Sequence, residues 1–457
     1  MSTISSIICD VKANSFSCLR PLPDKKTEAL YEKTQLTKAE FAEKYPDIDV
    51  EKVFFQDTLT QPELVWWDKE KMVFVPLRIY PGGLCLFGTD TDFMAEFKDA
   101  LKLMENARKE KNYFHLLMPM SDAMRMEALG FILEKDGPSE KLCDAFLAWY
   151  KISDYGFGAL DPQKIMDLMG YMSEEKRKER DILLEKLPEK IMLYRGEGAK
   201  STPSSRAMSW SLSPNVALWY ACRLEQEGCR LISAVCNKED VLYAFNDSDK
   251  EILVNPQNLA EMACMPIYGE DVIEDFRYVS LYQQYRTWLG SLYAEKDSTI
   301  FNHDALHSAR VLFLALQIAQ SESHNLPKRE LETLCTAAIF HDIGRTDDGL
   351  DKQHGKHGAD IYRKYMKNTL RLFPSETVAQ LIEAHNLPDS EAKKIVPENK
   401  WHLLDILKDA DALDRVRFRY GTRDGLDVRF LRRPQSIQLY GVAIMALHGI
   451  ELNFPEN

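Results

Sequence analysis

Long apolar runs are missing from this 457-residue chain. Nothing in it approaches the roughly 18 consecutive apolar residues that a membrane span requires, so no helical membrane anchor is expected. CxxC pairs and regularly spaced cysteines are missing too. The nine cysteines are odd in number, and Cys222, Cys229, Cys236 and Cys335 sit among apolar neighbours, where reduced core thiols are expected rather than a disulfide framework. Positive charge is not in excess: 58 Lys+Arg stand against 71 Asp+Glu, a formal balance of −13. That excludes coating nucleic acid by bulk charge and leaves room for a local basic groove. Met1 to Lys12 has no basic region beside its short Ile pair, so no Sec-type signal is read there and a cytoplasmic location is expected. Export as an effector by a specialised route is compatible with the same pattern. Internal repeats and low-complexity tracts are absent.

What is present is globular in character, with 45% hydrophobic and 28% charged residues. The length suits about three units of ordinary domain size. The fold class expected is multidomain α+β. An N-terminal α/β unit of unknown role (1–137) precedes a strand-rich unit (138–294) and an all-α unit (295–457). In the first, Met72 to Tyr80 and Phe114 to Met118 read as strands from their β-branched and aromatic content, and Phe93 to Lys111 reads as a helix. Trp66-Trp67 reads as core packing beside a strand, with a recognition surface as the other reading. A Gly-Pro break between Lys135 and Ser139 marks the first boundary. Strands dominate from Ile191 to Pro256, at Ile191–Tyr194, Arg230–Cys236, Val241–Phe245 and Glu251–Val254. They are interrupted by a helix that Ser213 caps and Pro214 opens. The second boundary falls near 285–298. Beyond it amphipathic helices follow one another: 309–319, 330–340, 358–366, 376–384 and 402–407.

Histidine is scarce, ten residues in all, yet most lie between His303 and His402. His307 opens an apolar helix, His341-Asp342 ends another, and Asp411 lies in the run Lys408-Asp-Ala-Asp-Ala-Leu-Asp414. A His-Asp pair at a buried helix end is costly unless something binds it, because an unpaired carboxylate loses its hydration. A divalent cation supplies that partner. Imidazole and carboxylate ligands suit Mn, Fe, Co, Ni, Zn or Mg alike. His307, His341-Asp342-Ile-Gly344 and Asp409-Ala-Asp411-Ala-Leu-Asp414 together resemble, over roughly 296–440, the HD superfamily of metal-dependent phosphohydrolases. The resemblance implies an all-helical fold in which His307, His341, Asp342 and Asp411 bind a metal. Asp409 competes for the last place, and Asp411 is preferred because its Ala-Asp context matches the family. His354-Gly-Lys-His-Gly-Ala359 resembles a stretch of the two-metal members, and His385 falls where those members carry a His-His pair. Here the pair is Ala384-His385, and the Gly-Tyr-Pro signature of cyclic-dinucleotide phosphodiesterases is absent. A cation in such a place acidifies water and offsets phosphoryl charge. Seven arginines between Arg415 and Arg433, interleaved with Phe418, Tyr420 and Phe430, either grip phosphate or form a solvated face paired with Asp414, Asp424 and Asp427. Arg310, Arg345, Lys352 and Lys356 stand in the same position. His303 reads as a surface or outlying residue of the cluster, and His324 and His402 as surface residues.

In the middle unit, Leu193-Tyr-Arg-Gly196, Ser209-Trp-Ser211 and Asp249-Lys-Glu251 occur in order. Singly each is commonplace. Together, over roughly 140–290, they resemble the mono-ADP-ribosyltransferase fold. The resemblance implies NAD as the bound dinucleotide and Glu251 as the carboxylate that steadies the oxocarbenium-like sugar when nicotinamide leaves. It implies that Arg195, with Gly196, holds the phosphate or adenosine side, that Ser209 and Ser211 orient the ribose and Glu251, and that Tyr194 or Trp210 stacks on nicotinamide. Asp249 stands where arginine-modifying members carry a glutamate, which leaves the acceptor, protein or nucleic acid, open. The expected function is therefore bifunctional: an NAD-dependent ADP-ribosyltransferase, plus a phosphohydrolase or phosphodiesterase acting on a nucleotide or on the ADP-ribosyl product. In the alternative only the HD unit is catalytic, with Asp342 central to it, and the strand-rich unit is a dinucleotide sensor. A toxin-like effector restrained by its HD unit is a third reading.

Overall fold

The computed structural model describes residues 16, 19–29, 31–56, 63–80, 83–84, 93–153, 157–199, 201–223, 228–294, 303–322, 325–349, 351–370, 372, 374–418 and 425–449. His324, Tyr420 and Asp424 lie outside them, as do Arg419, Arg423 and Met1 to Lys12.

The N-terminal strands form one antiparallel meander: β1 (Leu19–Pro21), β2 (Val53–Gln56), β3 (Glu63–Asp68), β4 (Val73–Tyr80) and β5 (Gly83–Leu84). The period-2 pattern turns Leu64, Trp66, Val73, Val75 and Leu77 onto one core, while Val65, Trp67 and Phe74 enter a second. Trp66 and Trp67 are both buried, as core packing requires. Four helices follow: α1 (Phe93–Lys109), α2 (Tyr113–Leu117), α3 (Asp122–Asp136) and α4 (Glu140–Ile152). The sequence from Phe114 to Met118 is thus helix and not the expected strand. Asn112 caps it by accepting from the His115 N–H, and Tyr113, Leu116 and Leu117 are buried at i, i+3 and i+4. The Gly-Pro break is a tight corner. Gly137 ends α3 at φ 74°, Ser139 caps α4, and both helices fill the same core.

The second sheet has six antiparallel strands in the order β11-β8-β6-β7-β10-β9, with β6 Lys190–Glu197, β7 Ser209–Ser211, β8 Arg230–Asn237, β9 Val241–Ala244, β10 Glu251–Val254 and β11 Ala260–Pro266. Ser211 pairs with Tyr194 on one side and Glu251 on the other. Cross-strand partners and residues two apart share a face, so Ser209, Ser211 and Glu251 look the same way while Trp210 turns into the core. Helix α5 (Pro214–Cys222) lies on β6. Its approach depends on Gly196, where a Cβ would stand 1.8 Å from the Ala217 carbonyl oxygen.

From Val279 on, the described structure is helical: α6 (Val279–Tyr293), α7 (Ala305–Ser321), α8 (Lys328–Phe340), α9 (His354–Asn368), α10 (Glu376–Ala384), α11 (Trp401–Leu413) and α12 (Tyr440–Gly449), with shorter turns between. α6 runs through the first half of the expected boundary at 285–298. α7 is buried on nearly every side, as an apolar central helix must be. One hydrophobic cluster joins these helices to α5, Leu231 and Ile267. No helix among the described residues is long and apolar enough to cross a membrane.

Candidate functional site

The capping chemistry of the bundle aims its histidines. Asp304 caps α7 and accepts from the His307 N–H at 2.9 Å, which fixes His307 in the first turn. His341 and His385 follow the last residues of α8 and α10, where helix carbonyls lack partners. Their Nδ1 atoms take those carbonyls: Ala338 O at 2.7 Å and Ile382 O at 2.7 Å. His354 opens α9 with Nδ1 on the Asp351 carbonyl. His307 differs, for its Nδ1 meets a carboxylate, Asp414 Oδ2, at 2.7 Å. With every Nδ1 donating, each Nε2 carries a lone pair. Those lone pairs confront one another: His307 Nε2 lies 3.1 Å from His341 Nε2, and His354 Nε2 lies 3.0 Å from His385 Nε2.

Such confrontations are repulsive unless a cation or a shared proton lies at them. Two imidazole nitrogens about 2.1 Å from one cation stand roughly 3.0–3.4 Å apart at ordinary coordination angles, which both pairs satisfy. Asp342, almost fully buried, faces both. Its Oδ2 is 3.4 Å from His307 Nε2 and 3.6 Å from His341 Nε2. Its Oδ1 is 3.2 Å from His354 Nε2 and 3.5 Å from His385 Nε2. The residues therefore fit a divalent cation at His307–His341–Asp342 and a second at Asp342–His354–His385. Glycine contact brings the two together, since a Cβ on Gly344 would lie 2.4 Å from both Gly358 N and His354 O.

Asp411 Oδ1 is 3.4 Å from His307 Nε2, with about a third of its side chain open to solvent (34%). Asp409 points away. It is fully buried and accepts from the Arg432 and Arg433 N–H groups and the Ser436 hydroxyl. The charges follow this layout. Burial pushes His341 down to about 3 and His354 to about 4, so both are neutral ligands at pH 7. Burial would raise Asp411, but the His307 and His341 imidazoles hold it at about 2. Burial and Arg417 depress His307, yet Asp342 and Asp414 leave it above its ordinary value. His303 sits beside the cluster with Nδ1 3.0 Å from Asp348, and His402 pairs with Glu330 at 3.0 Å.

A helical bundle that sets imidazole pairs about a shared buried carboxylate has the donor set of a metal-dependent hydrolase. Residues 305–416 match the HD domain family, a match that indicates a metal-dependent hydrolase in the C-terminal helices. No curated protein and no solved structure matches the chain.

The middle unit's residues meet in a separate cavity of about 570 Å³. Tyr194, Arg195, Gly196, Ser209, Ser211 and Glu251 all border it, and Asp249 does too. The Ser209 hydroxyl hydrogen-bonds Glu251. Burial lifts Glu251 to about 8, against that bond. Arg195 is committed to backbone: Nη1 donates to Ser209 O at 2.9 Å and Nη2 to Thr202 O at 2.8 Å. Its Nε is buried without a partner. The Ser211 hydroxyl donates to Asp249 O at 2.6 Å, and Trp210 Nε1 to Ala207 O at 3.0 Å. Trp210 packs in the core while also bordering the cavity, and Tyr194 is half-buried at the cavity wall.

Sequence reading missed two contributors. Tyr150 of α4 borders the cavity, where the charges of Glu251 and Arg195 act on its buried phenol. Asp414 appeared only as a counter-charge for arginines. Its i+3 spacing from Asp411 was the available signal.

Proposed function

We propose that the chain is a two-site enzyme, a metal-dependent phosphohydrolase in its helical third and an NAD-dependent ADP-ribosyltransferase in the cavity above α5. The hydrolase reading rests on the two imidazole pairs that share Asp342 inside the HD match. A divalent cation bound there supplies Lewis acidity toward a phosphoryl oxygen and acidifies water. The protein's own groups do the rest. Neutral His341 and His354 offer lone pairs, Asp342 faces both positions, and Asp411 marks the side open to substrate.

The transferase reading rests on the convergence of Arg195, Ser209 and Glu251 on one cavity. In that reaction the bond from nicotinamide nitrogen to ribose carbon breaks, its electron pair leaves with nicotinamide, and the acceptor's nucleophile takes the ribose carbon. Ionised Glu251 accepts a ribose hydroxyl and offsets the growing positive charge. Arg195 shapes the floor by tying Thr202 and Ser209 together. NAD incubated with the purified protein tests this by nicotinamide release, abolished in Glu251→Gln.

A second reading has its own support. Helix α5 walls the cavity and also reaches the HD region, where Asn215 Oδ1 accepts from the Val428 N–H at 2.9 Å. On that reading the cavity senses a dinucleotide and transmits its occupancy. NAD altering phosphoester hydrolysis, with no nicotinamide released under any acceptor, selects the sensor.

A further inference from the structure

Residues 411, 414 and 417 form a line. Asp411 and Asp414 are three apart at the end of α11, and the chain then tightens into a 3-10 turn, Asp414–Arg417. Three residues per turn stack Arg417 below Asp414. On the facing helix His307 and Arg310 are also three apart, so α7 presents an imidazole and a guanidinium to this line. Asp414 is the joint. Fully buried, it accepts from His307 Nδ1, from Arg310 Nε at 2.6 Å and Nη2 at 3.1 Å, and from Arg417 Nη1 at 3.1 Å.

We propose that Arg417 is the side chain that binds the substrate's phosphate at the HD centre, with Asp414 as the positioning residue that holds it and His307 in register. The inference rests on the phosphohydrolase reading and names its anion-binding group. Three other described guanidiniums have their forks engaged: Arg310 on Asp414, Arg345 on Asp342 and the Gly349 carbonyl, Arg432 on Asp389 and Asp409. Arg417 spends Nη1 on Asp414, while its Nε is buried with no partner. Its side chain is 9% exposed, and its guanidinium carbon sits 4.3 Å from the Phe418 ring centre, which fixes the plane of the fork. Its charge acts on Asp411, Asp342 and His307, the same groups that border the first candidate cation position. A guanidinium with an unused N–H beside such a position suits a phosphoryl oxygen, and planar forks favour tetrahedral oxyanions.

The test uses the full chain loaded with Mn²⁺ and inorganic phosphate as the probe, measured by calorimetry, with bis(p-nitrophenyl) phosphate turnover in parallel. Arg417→Gln is expected to weaken phosphate binding by about tenfold to a hundredfold, with bound Mn²⁺ as in the wild type and KM raised more than kcat falls. Arg417→Lys, which keeps the charge and loses the fork, falls between the two. Wild-type phosphate affinity in Arg417→Gln overturns the proposal. So does loss of Mn²⁺ in that variant, which makes Arg417 a support for His307 only. A Mn²⁺-loaded wild type that neither binds phosphate nor cleaves the ester removes the hydrolase reading itself, and the proposal with it.

Discussion

Asp342→Ala separates a shared carboxylate from two independent sites. Asp342 presents one oxygen to His307 and His341 and the other to His354 and His385, so one substitution strips a ligand from both positions. His385→Ala strips only one position. Losing an outer partner of a metal ligand costs 10–100-fold in affinity, and a direct ligand costs at least the upper figure. With free cation at about 100 times Kd, each occupied position stabilises the fold by about 2.7 kcal/mol, which falls to about 0.4 kcal/mol after a hundredfold loss. Two positions together give a difference of about 4.6 kcal/mol, or roughly 9–18 °C in Tm at 2–4 °C per kcal/mol for a unit of this size. Mn²⁺ content by plasma mass spectrometry, with melting curves at fixed metal, reads both quantities. At that free cation the expected content is about two ions in the wild type, at most about one and a half in His385→Ala and at most about one in Asp342→Ala. Equal stoichiometry in the two variants refutes the shared carboxylate.

The remaining expectations concern single groups. Asp414→Asn removes the carboxylate behind His307 and lowers Mn²⁺ affinity about 10–100-fold by calorimetry, whereas unchanged affinity leaves Asp414 a packing residue. Asp409→Ala costs about 3 kcal/mol in denaturant unfolding, because the Arg432 and Arg433 N–H groups and the Ser436 hydroxyl lose their buried acceptor, while the metal-binding stoichiometry stays at the wild-type value. Because burial holds Glu251 protonated below about 8, nicotinamide release that needs the ionised form climbs between pH 7 and 9. A flat profile contradicts that role. If the two centres act in sequence, the acceptor's added mass differs between wild type and Asp342→Ala, and identical masses exclude the sequence.

Much of the His/Asp cluster was legible because its members come as short dipeptides at helix ends. His341 and His385 each follow an apolar helical run whose end the sequence marks, and helix periodicity then dictates which way the ring points. Asp411 lies 3.4 Å from His307 Nε2 while Asp409 faces away, and Asp409's burial against Arg432, Arg433 and Ser436 was invisible because those partners arrive from over twenty residues away. Helix ends came out short for a similar reason. α9 begins at His354 and α11 extends to Leu413, where burial against neighbours overrides weak local signals. Phe114 to Met118 misled because aromatic content favours strands in isolation, whereas Asn112 and the packing of Leu116 and Leu117 settle Tyr113–Leu117 as helix. Tyr150 carried no local mark at all. It reaches the cavity only through the packing of α4 against the second sheet.

Helix α5 has no side of its own. One flank rests on β6 through the opening at Gly196, and Ala217, Leu218, Ala221 and Cys222 belong to the same apolar mass as α7 and α12. A nick in the chain near residue 295 would therefore leave two fragments, each with a raw groove shaped for the other. They are expected to remain clasped through gel filtration, to come apart only in denaturant, and to melt in a single transition rather than two.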